Sequence, residues 1–351
     1  MEVVGADVPP RIVFHKTYAP GYCVVDPALP CSDDPTVPVA GFVGCLALSA
    51  AHVDRLQGTY RRVRKADPRG KFTVVPARTC ACHATPRCAR EGGLPTDFTG
   101  PGAVMTQFLI PRPGDVLLGD MVSPLSPTRL HQVVHAFGGV LHGLKRLRDA
   151  DVVHRCIGPT TLAFSEATQT LRLFEFSGAG RVDEVMEDGQ ALRTAVELMP
   201  PELAFAMGLA SEWVSAWTYT RGNLFSAKSH DAMIATAQSA WTNLLGAPGD
   251  RVRRQLRFLA APKLDMFTLS ATLYRFLRGR THFVSTSAVP DWFKNLRVWL
   301  NAVLDSDWTM RPSLDAACLF WDKMWTVPYE PFVMDIVQAC PALHSAHARD
   351  S

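Results

Sequence analysis

Three groups of residues in this chain have the types and spacing that chemistry needs. Cys80-Ala81-Cys82-His83, followed by Cys88, places three thiols and an imidazole within nine residues, and these are ligand types that zinc selects. The spacing C-x-C-H-x4-C is not that of a standard finger, and two ligands one residue apart need a special loop. An exposed loop of reduced cysteines is therefore the favoured reading, with a zinc set of Cys80, Cys82, His83 and Cys88 as the sharper one. The second group is Val152-Val153-His154-Arg155-Cys156-Ile157-Gly158-Pro159-Thr160-Thr161-Leu162. His154 and Cys156 could suggest a base and a thiol nucleophile. Residues two apart on a loop or strand need not face each other, however, and a base must lie within hydrogen-bond reach. The third is Glu175, which could reach a metal ion, followed by Asp183, Glu184, Glu187 and Asp188, any of which could pair with Arg155.

The elements that must position these groups follow from pattern. Pro9, Pro10, Pro20, Pro27, Pro30, Pro35 and Pro38 make the first forty residues irregular, with short strands at 12–14 and 22–25. An apolar stretch at 39–48 precedes a helix over 49–65. Asp67-Pro68-Arg69-Gly70 introduces a strand over 71–75, a loop rich in Cys, Gly and Pro fills 76–102, and a strand spans 104–110. Pro111-Arg112-Pro113-Gly114 then breaks the chain and sets a boundary, giving a first part over 1–111, a second over 112–345 and a tail over 346–351. Beyond it, Leu130, Val133, Val134, Phe137, Val140, Leu141, Leu144 and Leu147 recur at helical spacing. Short strands at 162–164 and 171–174 follow. Met233, Ile234, Ala237, Trp241, Leu244 and Leu245 mark another helix, Trp292 to Val303 a third, and 312–325 a fourth. Trp292, Trp299, Trp321 and Trp325 fall at helical spacing and read as core rather than as a ligand cage. Strands first and helices afterwards define an α+β chain.

Charge and composition bound the partners. Hydrophobic residues at 47% and charged residues at 20% exclude wholesale disorder. A net charge of +3 does not by itself imply nucleic acid. The basic residues are concentrated, though: between Arg55 and Arg90 stand Arg55, Arg61, Arg62, Arg64, Lys65, Arg69, Lys71, Arg78, Arg87 and Arg90, against the single acid Asp67. A solvated helix face with a basic loop accounts for this; a docking surface for an acidic protein partner is the sharper reading. No apolar run approaches the roughly 20 residues that cross a bilayer. The start, Met-Glu-Val-Val, carries no basic n-region and apolar core. Nine cysteines without such a leader are expected to be reduced thiols in an intracellular protein.

Five motifs in order carry a resemblance. His154-Arg155-Cys156-Ile157-Gly158-Pro159-Thr160-Thr161 follows a long amphipathic helix, as the protein-kinase catalytic loop H-R-D-x-K-P-x-N does. Glu175-Phe176-Ser177 stands after a strand in the place of D-F-G, and Met199-Pro200-Pro201-Glu202 resembles A-P-E. Ser229-His230-Asp231 opens a helix where the family has its central one, and Asp305 to Ser313 resembles the segment whose arginine, here Arg311, precedes the last helix. The chain thus resembles the protein-kinase superfamily, serine/threonine type, over roughly its last two-thirds. Asp67 to Val74 is similar to divergent kinase-like proteins of large DNA viruses, which extends the expected setting to host cytoplasm or virion.

What the resemblance implies is a two-lobed protein-kinase-like α+β fold, with a small strand-containing N-lobe over 1–111 and a larger helical C-lobe. Glu202 and Arg311 would form a buried ion pair, Asp231 would accept hydrogen bonds from the catalytic-loop backbone, and His154 would stack on Phe176. The chemical positions depart from the pattern. Phosphoryl transfer needs a carboxylate base, metal ligands and a lysine on the phosphates. Cys156 stands at the base, Gly158 at the lysine, Thr161 at the metal-binding asparagine and Glu175 at the metal-binding aspartate. No G-x-G-x-x-G occurs near the start, and the third strand, 42–47, has no lysine; Lys16 and Lys71 are the nearby substitutes. The expectation is a pseudokinase serving as a scaffold or interaction module, with no cofactor, no nucleic-acid partner and no membrane partner. The alternative is a divergent serine/threonine kinase with noncanonical handling of ATP and magnesium.

Overall fold

In a computed structural model of the chain, residues 13–15, 22–37, 39, 41–47, 49–83, 104–112, 116–121, 124–181, 198, 200–206, 230–246, 261–278, 280, 289–305 and 307–339 are described. β-branched and aromatic residues in short alternating runs build one antiparallel sheet in the order β1-β2-β3-β5-β4. Its strands are β1 (Val13–His15), β2 (Tyr22–Asp26), β3 (Phe42–Ala47), β4 (Arg78–His83) and β5 (Val104–Pro111). The alternation buries both faces. Tyr22, Val24, Cys45, Phe108 and Ile110 join the main core, while Cys23, Val25, Leu46, Cys82 and Met105 form a cluster of their own with Leu29.

That far face is covered by the chain after β2. Gln107, fully buried on β5, gives its amide to Leu29 in both directions, with Leu29 N–H on Oε1 and Nε2 on the Leu29 carbonyl, each at 2.8 Å. A disulfide joins Cys31 to Cys80 on β4. The expected set of reduced thiols is corrected at this pair, and disulfides belong as a rule to oxidising surroundings. The location of β4 is a second correction, since residues 78–83 fall where a loop was expected. The strand expected over 71–75 is instead a turn organised by Asp67. Its buried carboxylate accepts the N–H groups of Lys71, Phe72 and Thr73, each at 2.9 Å, and the segment makes one parallel bridge, Thr73 beside Leu173, through the Phe72 carbonyl at 2.8 Å and the Val74 N–H at 2.9 Å.

Helix α1 (Ala50–Ala66), capped by Ser49, crosses the sheet between β3 and β4 and turns Leu56, Tyr60 and Val63 inward. A short second sheet holds β6 (Val116–Leu117), β7 (Leu162–Ser165) and β8 (Thr170–Leu173). Helix α2 (Pro127–Asp149) has proline in its first turn and Ser126 as its cap, and its apolar stripe is buried throughout as the spacing predicts. The remaining helices are α3 (Pro201–Ala206), α4 (His230–Leu245), α5 (Ala261–Arg278), α6 (Asp291–Val303), α7 (Leu314–Lys323) and α8 (Tyr329–Ala339). Helix α5 was not foreseen, and its face from Leu264 to Leu273 is almost wholly buried. One apolar cluster runs from Tyr22 on β2 to Ile336 on α8, so the strand-rich and helical parts of this mixed α/β chain share a core. Among the described residues no helix is long and apolar enough to cross a membrane.

Candidate functional site

The loop from Val152 to Thr161 leaves the end of α2 and is pinned at both sides. Val153 and Gly180 exchange both backbone hydrogen bonds, at 2.9 and 3.0 Å, and Phe174 N–H donates to the Thr161 carbonyl at 3.1 Å. These bonds bring the His154 and Glu175 segments into one place, as the motif order predicted. Arg155 and Glu175 both have left-handed backbones, with φ of 68° and 63°. Such residues each cost about 1–3 kcal/mol and cluster where the surroundings over-determine the backbone.

A carboxylate does the over-determining. Asp265, one turn into α5, accepts the His154 N–H at 2.6 Å and the Arg155 N–H at 2.8 Å. The expectation gave this role to Asp231; the acceptor is Asp265. The Asp231 side chain lies outside the described residues. Burial raises the Asp265 carboxyl to about 6 against the pull of those two N–H groups and of Arg155. The sequence does hold a signal for Asp265. It is the lone acid in Leu264-Asp265-Met266-Phe267-Thr268-Leu269, and a buried aspartate almost always has a partner.

Aromatic rings connect the loop to the sheet. His154 meets Phe176 edge-on at 4.8 Å, Phe176 meets Tyr60 of α1 at 5.9 Å, and Tyr60 meets Phe108 of β5 at 5.9 Å. The His154–Phe176 contact was expected; its extension through Tyr60 was not. His154 is fully buried. Its Nδ1 accepts the Cys156 N–H at 3.3 Å, so Nε2 carries the proton and donates to the Phe174 carbonyl at 3.1 Å. Burial pushes this imidazole down to about 4, which leaves it neutral and structural.

The positions that would do phosphoryl chemistry are turned into the protein. Cys156 is buried, beside Gly178, where an added Cβ would lie 3.0 Å from the sulfur. The Thr161 hydroxyl accepts the Gly158 N–H at 2.9 Å and lies 3.2 Å from the Cys156 and Gly158 carbonyls, closing its own loop. Glu175 Oε1 accepts the Ser177 N–H at 3.1 Å, and Oε2 is buried without a hydrogen-bond partner among the described residues. Burial raises this carboxyl, and Ser177 lowers it only in part. Cys45 on β3 and Tyr60 are also buried, and burial foremost raises both far above their usual ranges. No solvated carboxylate pair of the kind magnesium prefers is present among these residues.

The expected ion pair is formed. Arg311 Nη1 and Nη2 grip Glu202 Oε1 and Oε2 at 2.6 and 2.9 Å, with both side chains fully buried. Arg311 also donates from Nε to the Asp305 carbonyl at 2.7 Å and lies 4.4 Å over the Phe267 ring. Arg155 is buried and donates from Nε to the Gly178 carbonyl at 2.6 Å. Its proposed acidic partners, Asp183 to Asp188, lie outside the described residues, as does Lys16. Neither the exposed cysteine loop that was favoured nor the alternative zinc set is found among the described residues: Cys80 is in the disulfide, Cys82 is buried in the far-face cluster and His83 is exposed, while Cys88 lies outside the described residues. In the basic region, Arg61, Arg64, Lys65, Arg69, Lys71 and Arg78 are exposed. Arg78 pairs loosely with Asp34 at 3.4 Å. Arg87 and Arg90 lie outside the described residues. Trp299 and Trp321 are core, as the spacing implies, while Trp292 and Trp325 are half-buried and stack on each other at 5.5 Å. No family model matches this chain, and no curated protein matches it.

Proposed function

We propose that this chain is a protein-kinase-like pseudokinase of two lobes, catalytically impaired, that serves as a scaffold or interaction module. The observation that carries this reading is the contrast within a single loop. The framing contacts of His154, Arg155, Phe176, Glu202 and Arg311 are all made, while Cys156, Thr161 and Glu175 are buried and, in the case of Thr161, spent on the loop's own backbone. A second support comes from the strand part. Kinases carry a lysine on the third strand and pair it with a glutamate on the helix that follows. Here the third strand reads Phe42-Val43-Gly44-Cys45-Leu46-Ala47, and the helix after it contains no glutamate. Both halves of that pair are missing together, and Cys45 and Tyr60 make the region apolar.

The exposed basic residues of α1 and the turn after it, from Arg61 to Lys71, are the docking face for an acidic protein partner in this reading. The direct test is to titrate the purified chain with ATP and magnesium or manganese, following thermal shift and phosphate transfer together. No saturable shift and no transfer are expected. Transfer that disappears in Glu175→Ala would overturn the proposal in favour of a divergent serine/threonine kinase. The unpartnered Glu175 Oε2 is the one feature that favours that second reading.

A further inference from the structure

The segment after β2 is fixed to the far face of the sheet more firmly than a connection needs. Gln107 holds both backbone groups of Leu29, Ser32 N–H donates to the Ala81 carbonyl at 2.7 Å, and Ala28 N–H to the Phe42 carbonyl at 2.9 Å. These bonds stand beside the Cys31–Cys80 disulfide and hold the segment that carries Cys31 against the sheet. The same backbone bond from Ser32 carries Asp33 alongside β4. One ligand atom from each of Cys31, Asp33 and Cys80 lies within 4.8 Å of the others. Gln107 Nε2 also points at the Cys80 sulfur from 3.7 Å. An amide N–H aimed at sulfur stabilises a thiolate and orients it as a metal ligand.

We propose that Cys31, Asp33 and Cys80 form a redox-gated zinc site, closed while the two sulfurs are bonded and open when they are reduced. A dithiol reductant supplies the two electrons and two protons that convert the disulfide to two thiols, and is itself oxidised to a cyclic disulfide. Zinc then displaces one proton from each thiol, giving two thiolate ligands. The Asp33 carboxylate is the third ligand and water the fourth. In tetrahedral zinc with Zn–S near 2.3 Å, neighbouring ligand atoms stand roughly 3.5–3.8 Å apart. On reduction the sulfurs must part from bonding distance to reach that separation. Side-chain rotation supplies this, because the Cα atoms are already 5.7 Å apart. Two soft thiolates select zinc over magnesium or calcium. This set shares only Cys80 with the one that the local cysteine spacing suggested. Sequence spacing could not reveal it, because its members come from positions 49 residues apart.

The test is a zinc titration of the whole chain, in competition with a chromophoric chelator, before and after treatment with a dithiol that is then removed. The reduced chain should take up one zinc per molecule and the oxidised chain none. Cobalt in place of zinc should give a thiolate-to-cobalt charge-transfer band in the reduced chain alone. Asp33 is exposed, so Asp33→Asn preserves the fold and the disulfide, and it should weaken zinc binding at least tenfold. A His83→Ala, Cys88→Ala double variant should bind as the parent does. The proposal is overturned if the reduced chain binds no zinc, if the oxidised chain binds equally, if Asp33→Asn has no effect, or if the double variant loses the metal.

Discussion

Replacing Glu202 by glutamine should be among the most damaging single changes available to this chain, although it alters one atom type. The Glu202 and Arg311 side chains are both fully buried and joined at 2.6 and 2.9 Å. Glutamine keeps one oxygen to accept from the guanidinium but sets an NH2 donor against its other Nη, and the Asp305 carbonyl and the Phe267 ring are the further partners. None of these carries a countercharge. Breaking a buried pair from one side typically costs about 3–5 kcal/mol, because the surviving charge is desolvated without compensation. At about 2.1 cal/mol/K per residue, a 351-residue chain unfolding as one unit has an unfolding entropy near 0.74 kcal/mol/K. A loss of about 4 kcal/mol then lowers Tm by roughly 5 °C. The double change Glu202→Leu with Arg311→Met removes both charges and both desolvation costs, and should recover most or all of the parent stability. Equilibrium urea unfolding followed by tryptophan emission measures the parent, Glu202→Gln, the double variant and its two singles, Glu202→Leu and Arg311→Met, since Trp299, Trp308 and Trp321 are buried in the helical part. A loss below about 1 kcal/mol for Glu202→Gln, or a double variant as unstable as the sum of its singles, refutes the reasoning.

Other outcomes follow from the same structure. The imidazole of His154, lowered to about 4, makes stability fall as pH drops from 6.5 toward 4, since the unfolded chain binds a proton that the folded chain refuses. Asp265, raised from 3.8 to about 6, has the opposite sign: its contribution is present below 3.8 and is lost as pH rises through 6. Glu175, also raised, acts on the side of Asp265. His154 and Asp265 therefore oppose each other between pH 4 and 6, with Glu175 adding to the side of Asp265, and Asp265→Asn should shift the pH dependence of the unfolding midpoint in that window toward stability that rises with pH. Gly143→Ala should destabilise by about 1–3 kcal/mol despite a better helix propensity. A Cβ there would stand 2.2 Å from the Phe72 ring, so Phe72→Leu in the same chain should recover part of the loss in the same unfolding assay. Reducing the disulfide, which closes a loop of 49 residues, should lower the unfolding free energy by roughly 4 kcal/mol, read as the difference between oxidised and dithiol-treated protein.

Legibility in the sequence followed the range of the interactions. Helices α1 and α2 and strands β2, β3 and β5 were readable because periodicity is local: the Leu130 to Leu147 stripe marks α2, and the expected helix over 49–65 nearly coincides with α1. The turn at Asp67 was expected, but the strand expected after it over 71–75 is reduced to one bridge at Thr73, although Phe72, Thr73 and Val74 are good strand residues. What decides their conformation is one buried carboxylate that takes three N–H groups from the same turn, and pattern alone does not show it. Strand β4 was missed for the converse reason. Thr79, Cys80 and Cys82 lie among residues that resemble a loop, and their strand exists because β5 pairs with them from Thr79–Phe108 to His83–Val104. The disulfide and the far-face cover also depend on long-range placement, with Leu29 and Gln107 held together across 78 residues.

The exchange of Asp231 for Asp265 shows what a local motif omits. Both are aspartates near the start of a helix, and sequence context near His230 could not tell them apart. What separates them is what their neighbours must do. The residues around Asp265 are Leu264, Met266, Phe267 and Leu269, all buried, so its carboxylate enters the core with them and must find donors there. The two N–H groups of a left-handed loop supply those donors. The same rule acts on Glu175 with the opposite result. Burial costs a carboxylate unless charge or hydrogen bonds compensate it, and Glu175 has one N–H donor where Asp265 has two. The physical response is to favour the neutral acid, and burial raises the Glu175 carboxyl. In the proposed pseudokinase reading, a metal-ligand position becomes part of the core by this route. Cys45 and Tyr60 lie close enough to feel the Glu175 charge, and burial raises both well above their usual ranges. The framing aspartate stays because removing it would orphan two backbone donors at about 1–3 kcal/mol each, a cost that is independent of whether phosphate is ever transferred.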